Sequence, residues 1–148
     1  MKKWLVLFLV VLVVAGGSIL LRAENEKKHV VAQITSAQYA KADPETIHVM
    51  LIGFEGCAPC RLAENTVFLP LAEYYADDPQ VQVVKVDTVQ DAKETAEEER
   101  IVTRFQVSKL PAILVVYHQG IMWRQDGFSL SKKDALKDSI IKAVSNLK

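Results

Sequence analysis

The sequence predicts an α/β fold, a mixed central sheet covered by helices on both faces. Three observations carry that expectation. Residues 47–54 (IHVMLIGF) are almost continuously apolar after His48, as a strand buried on both faces requires, and too short for a helix in this setting. Strand-like and helix-like stretches alternate up to Phe105, the pattern of parallel units. Beyond Pro111 two strand-like stretches flank His118-Gln119-Gly120, a hairpin-like turn, before a last helical stretch. The order is β-α-β-α-β-α-β-β-α.

Taken in order, residues 29–34 (HVVAQI) read as a short β-branched strand. Residues 35–42 (TSAQYAKA) read as a helix begun by a Thr or Ser cap and stopped before Pro44. After the central strand, Glu55-Gly56 turns the chain into Cys57-Ala58-Pro59-Cys60, and residues 61–75 are helical in composition, kinked or split at Pro70. Residues 81–86 (VQVVKV) form the next strand and 91–105 the next helix, with Asp91 and Glu94 spaced as a capping box. Residues 112–117 (AILVVY) and 122–128 (MWRQDGF) are the hairpin strands, with Trp123 and Phe128 expected in the core. Residues 131–147 close the chain as a helix capped at Ser129 or Ser131, with Leu136, Ile140, Ala143, Val144 and Leu147 on one stripe.

Composition bounds the function. Of 148 residues, 50% are hydrophobic and 24% charged, which excludes wholesale disorder and fibrous repeats. Lys+Arg and Asp+Glu balance at 18 each and no basic stripe occurs, so nucleic acid is not an expected partner. The N-terminus is a separate object. After Lys2 and Lys3, residues 4–21 run uncharged and would span about 27 Å as a helix at about 1.5 Å per residue. Residues 1–23 therefore read as a signal anchor or signal peptide. Ala15-Gly16-Gly17 offers a cleavage site, but Ile19, Leu20 and Leu21 continue the apolar run past it, which favours the uncleaved anchor. The expected location is the cell membrane, single-pass with the domain outside the cytoplasm, or secreted or periplasmic if the segment is cleaved. Residues 24–28 form a polar spacer, and residues 29–148 have the length of one domain.

Two cysteines and three histidines (His29, His48, His118) cannot build a four-cysteine zinc site or a multi-disulfide scaffold. The cysteines act as one pair. Cys57 falls where a strand gives way to a helix, so unpaired N–H groups and the positive dipole end favour its thiolate, the nucleophile. Cys60, within one turn, can close a disulfide with Cys57 and release an attached partner. Pro59 fits the first helical turn, where its missing N–H costs nothing. As half of a metal site the motif lacks a second pair, and His48 and His118 read as surface or strand-end residues. No metal or other cofactor is expected. Glu94, Glu97, Glu98 and Glu99 read as a solvated face.

Four stretches together resemble the thioredoxin-like family: residues 54–61 (FEGCAPCR) after an apolar strand, 84–87 (VKVD), 105–111 (FQVSKLP) before the fourth strand, and Gly127 near the end of the fifth. The resemblance covers residues 29–148. It implies the thioredoxin-like fold, a cis Pro111 against the cysteines, and Leu110 and Pro111 lining a groove where a partner's cysteine segment docks as an added strand, beside Ala58 and Pro59. It further implies that Cys57 is exposed and Cys60 buried. The sequence departs from the family at Gly56, usually aromatic, at Leu51, usually a buried acid, in the late Pro70, and in a long stretch from Asp87 to Pro111. The implied function is an extracytoplasmic thiol–disulfide oxidoreductase. It would exchange a Cys57–Cys60 disulfide with exported cysteine-containing proteins, supplied by a membrane redox partner. Cys-Ala-Pro-Cys is close to the reducing Cys-Gly-Pro-Cys, and Leu110 offers the sulfurs no side-chain hydrogen bond, which favours reductase or isomerase over oxidase. The alternative is a thioredoxin-like binding or accessory module for a secretion or assembly partner, or a copper-binding protein.

Overall fold

The computed structural model describes residues 30–148. The expected membrane segment, the polar spacer and His29 lie outside the described residues. Among the described residues no helix is long and apolar enough to cross a membrane.

Among the described residues five strands form the central sheet in the order β1-β3-β2-β4-β5: β1 (Ala32–Gln33), β2 (Ile47–Gly53), β3 (Val81–Asp87), β4 (Ala112–Tyr117) and β5 (Gly120–Asp126). β1 and β2 run parallel to β3, β4 antiparallel to β2, and β5 antiparallel to β4. The sheet is mixed, as the sequence predicts, and every residue of β2 is buried. Alternation along β2 splits the core into two layers. Val49 and Leu51 join Ile113, Val115, Phe68, Leu71 and Ile140 on one face. Met50 and Ile52 join Val84, Leu114, Tyr39, Ile101 and Phe105 on the other. Each fully buried Leu, Ile or Phe contributes roughly 1.5–3 kcal/mol.

The first strand is shorter than residues 29–34 and the first helix, α1 (Ser36–Tyr39), shorter than 35–42. Its cap is as expected: Thr35 Oγ1 accepts from Gln38 N at 3.3 Å, and Gln38 Oε1 accepts from Thr35 N at 2.9 Å. The second helical region starts at Ala58 rather than Arg61. It comprises α2 (Ala58–Ala63), a wide π turn (Glu64–Phe68) and α3 (Leu69–Tyr74). Pro70 lacks an N–H for the carbonyl of Thr66, and the widened turn before it absorbs that loss.

The expected helix over 91–105 is corrected most. α4 (Thr88–Glu94) begins earlier because Asp87, not Asp91, is its cap, accepting from Val89 N and Gln90 N at 2.9 Å each. Asp91 forms no capping box with Glu94. Its buried carboxylate accepts from Ser36 N at 2.7 Å, Ser36 Oγ at 2.5 Å and Thr95 Oγ1 at 3.2 Å. Thr95 turns extended (φ −131°, ψ 136°), ending the helix. A 3-10 turn (Glu97–Glu99) and α5 (Ile101–Arg104) follow. Glu94, Glu97, Glu98 and Glu99 are exposed.

The hairpin also shifts. β5 starts at Gly120, with His118 (φ 47°) and Gln119 (φ 63°) both left-handed, the geometry that matches strand twist in a two-residue turn. Phe128 lies past β5, and both it and Trp123 are half-buried against the core rather than inside it. Neither Ser129 nor Ser131 caps the last helix. Their hydroxyls lie 3.0 Å from each other, and a 3-10 turn (Leu130–Lys132) leads into α6 (Lys133–Ser145). Leu136, Ile140 and Val144 of its stripe are buried.

Candidate active site

β2 ends at Gly53, and the chain turns at once: Cys57 N donates to Phe54 O at 3.0 Å. Cys57 (φ −84°, ψ 103°) is the N-cap of α2 and its carbonyl accepts from Arg61 N at 3.1 Å. Its sulfur accepts from Cys60 N at 3.3 Å, one of the N–H groups that the helix itself leaves free. A disulfide joins Cys57 to Cys60, whose Cα atoms are 5.2 Å apart. Ala58 and Pro59 are exposed in the first turn, where proline fits without loss. Once reduced, Cys57 sits where the dipole and the N–H groups stabilise a thiolate. The resemblance implied an exposed Cys57, but both cysteines are buried, Cys57 at 8% and Cys60 at 4% exposure. In the closed disulfide the Cys57 sulfur is turned inward onto the helix end.

Sequence reasoning missed Gly53. A Cβ there would stand 2.7 Å from Cys60 Sγ and 2.8 Å from Cys60 Cβ, closer than atoms tolerate. Only glycine lets α2 lie this near β2. The available signal was a glycine inside an apolar strand, which marks close backbone approach.

The Leu110–Pro111 bond is cis and Pro111 is buried. Since Ile52 pairs with Ala112, one further step of the register sets Pro111 across from Gly53, the strand end against which Cys60 of α2 packs. Gly127 (φ 80°) donates its N–H to Pro111 O at 2.7 Å, tying the segment after β5 to this loop. Leu110 packs against the Met50 face of the core. Exposed Phe54 and Leu62 flank the cysteines from the turn and from α2.

Behind Cys60 lies a cavity of about 290 Å³, lined by Leu51, Gly53, Cys60, Glu64 and Lys85 among others. Lys85 Nζ and Glu64 Oε1 form an ion pair at 2.7 Å inside this lining. Leu51 and Lys85 are register partners on β2 and β3, so both face α2.

His48 and His118 are elsewhere. His48 opens β2 and pairs with Val116, one residue before Tyr117 and the turn bearing His118, so both sit at the end of the sheet away from the cysteines. The five residue steps from His48 to Gly53 span roughly 17 Å. His48 is a strand-end residue but not a surface one. At 2% exposure it donates from Nδ1 to Thr46 O at 3.1 Å, and Nε2 has no partner among the described residues. Burial pushes its pKa below the usual imidazole value, opposed in part by that hydrogen bond. Among the described residues no group of three His, Cys, Asp or Glu is placed to hold a metal ion.

No family model matches the chain, and no curated protein matches it by sequence. Solved structures do match by fold. A thioredoxin from Trypanosoma brucei brucei aligns with TM-score 0.59 at 17% identity, over 82% of this chain and 96% of that one. The germline-specific thioredoxin Deadhead of Drosophila melanogaster gives 0.56 at 21% identity, over 76% of this chain and 98% of that one. Mitochondrial thioredoxin 3 of Saccharomyces cerevisiae, in its oxidized form, gives 0.55 at 18% identity, over 76% and 94%. The chain has a thioredoxin-like fold with a Cys-x-x-Cys disulfide at the head of its second helix.

Proposed function

We propose that this protein is an extracytoplasmic thiol–disulfide oxidoreductase that works on exported cysteine-containing proteins, as a reductase or isomerase rather than an oxidase. The observation that carries the reading is the Cys57–Cys60 disulfide at a helix N-terminus, with the Cys57 sulfur on the Cys60 N–H and the Cys60 sulfur against Gly53. In the reduced protein the Cys57 thiolate attacks a substrate disulfide and expels one substrate thiolate. Cys60 then attacks the Cys57 sulfur, closing the pair and expelling the second. Two electrons pass to the substrate, and a membrane redox partner must return them.

Further support comes from the neighbours, which bear thioredoxin names, and from Pro111 set across from Gly53, beside which a substrate strand would lie. Leu110, Ala58 and Pro59 complete that docking surface. The extracytoplasmic assignment rests on the uncharged run of residues 4–21 alone. The test is the reduction potential of the pair, by equilibration of the full chain in detergent against glutathione or dithiothreitol. A value near about −270 mV marks a reductant, one near about −120 mV a disulfide donor, and a pair that closes at no poise leaves a binding module.

A further inference from the structure

The cavity behind Cys60 is more than packing slack. Closing the disulfide requires Cys60 to lose its thiol proton, and at 4% exposure its sulfur has little access to bulk water. The charged groups that line the cavity come from three places: Glu55 in the turn, Arg61 and Glu64 after the cysteines, and Lys85 and Asp87 on β3. Glu55 and Arg61 are exposed to solvent. Asp87 is occupied as the cap of α4 through Val89 N and Gln90 N. Glu64 remains. Its backbone N–H bonds the carbonyl of Cys60, so it stands one helical turn beyond the cysteine and on the same side. Its side chain is mostly buried, at 21% exposure, with Lys85 as counter-charge 2.7 Å away. The cavity the three residues share is polar on this wall and large enough to hold water.

Resting on the exchange reaction proposed above, we infer that Glu64, held by Lys85, is the base that takes the Cys60 proton. In the mixed disulfide of Cys57 with a substrate sulfur, the Cys60 S–H proton passes across the cavity to the Glu64 carboxylate. The Cys60 thiolate attacks Cys57 Sγ and the Cys57–Cys60 bond forms. The bond from Cys57 to the substrate sulfur breaks, and the electron pair leaves on that sulfur, which is protonated. Leu51, the β2 residue that lines the cavity beside Lys85, has no group that accepts a proton.

The test uses the reduced full chain in detergent and 5,5′-dithiobis(2-nitrobenzoate), from pH 6 to 9. Attack by Cys57 releases a first thionitrobenzoate and closure by Cys60 a second, so the two steps read separately. Glu64→Gln should leave the rate of the first release unchanged, and its circular dichroism spectrum should match the parent's. It should slow the second at least tenfold at pH 6–7, with the gap narrowing towards pH 9 as hydroxide removes the proton unaided. Glu64→Asp should recover part of the lost rate. An unchanged second release in Glu64→Gln overturns the inference, as does slowing that is equal at every pH, or a Glu64→Asp variant no faster than Glu64→Gln. If the parent chain gives no second release at all, the exchange function itself fails, whatever Glu64 does.

Discussion

The two ends of β2 treat buried polarity in opposite ways. At the Gly53 end, Cys60 shares a cavity of about 290 Å³ with the Glu64–Lys85 ion pair, so a buried sulfur has charged neighbours and room. At the His48 end the space is about 10 Å³, no more than one water, and Nε2 has no partner among the described residues. The His48 ring meets Tyr39 edge-on with centroids 5.2 Å apart. One end of the strand thus faces a sulfur with charged neighbours and room, and the other carries an imidazole whose charging opposes folding. The difference is one of room and charged neighbours: an enclosed imidazole that has neither costs stability when it charges.

The largest effect expected from breaking this comparison is at the cysteines. Cys57→Ser with Cys60→Ser should reduce disulfide exchange to the uncatalysed background in an insulin reduction assay while the domain stays folded. Retained exchange would remove the site end from the chemistry altogether. Cys60→Ser alone should accumulate mixed disulfides through Cys57.

Next in size is Gly53→Ala, which forces a methyl group into the Cys60 sulfur. Overpacking of this kind costs about 1–3 kcal/mol, to be read from urea unfolding of the oxidised protein. An unchanged midpoint would mean that α2 can retreat from β2 freely, and the close approach would lose its importance.

The smallest effect belongs to the His48 end and depends on pH. Because the folded pKa is depressed, the unfolded chain binds the extra proton, so stability rises with pH through this window. The contribution is complete above the ordinary imidazole value of about 6.5 and is lost as pH falls below it, at up to about 1.4 kcal/mol per pH unit. His48→Phe keeps a ring against Tyr39 and removes the bare nitrogen. It should change stability at pH 7 by less than about 1 kcal/mol and flatten the decline between pH 6.5 and 5. A decline as steep as the parent's would place the acid sensitivity elsewhere, for example at other titrating groups outside this corner.

Much of the molecule was legible in the chain itself. The apolar run of residues 47–54 and the antiparallel end were visible because hydrophobic periodicity and turn chemistry are local. So was the cysteine pair, since four adjacent residues between strand and helix carry their own geometry. The missing parts depend on residues distant in sequence. Asp91 had the spacing of a cap, yet Ser36, 55 positions away, claims its carboxylate, and the helix expected through Phe105 breaks at Thr95. His48 read as a strand-end residue, but nothing local told that Tyr39 would cover it. Glu64 had no mark in the sequence at all, because its meaning comes from Lys85, 21 positions away, which pairs with it on the cavity wall.

What the sequence by itself determined is the fold class, the order of most elements and the two sulfurs, because these follow from side-chain pattern along a short stretch of chain. Only the tertiary structure decided that Gly53 must be bare, that both sulfurs are buried, and that an ion pair stands behind Cys60. Each of those is a contact between a strand and a helix, or between two strands, brought together by core packing, and burial is a property of the assembled layers rather than of any one segment.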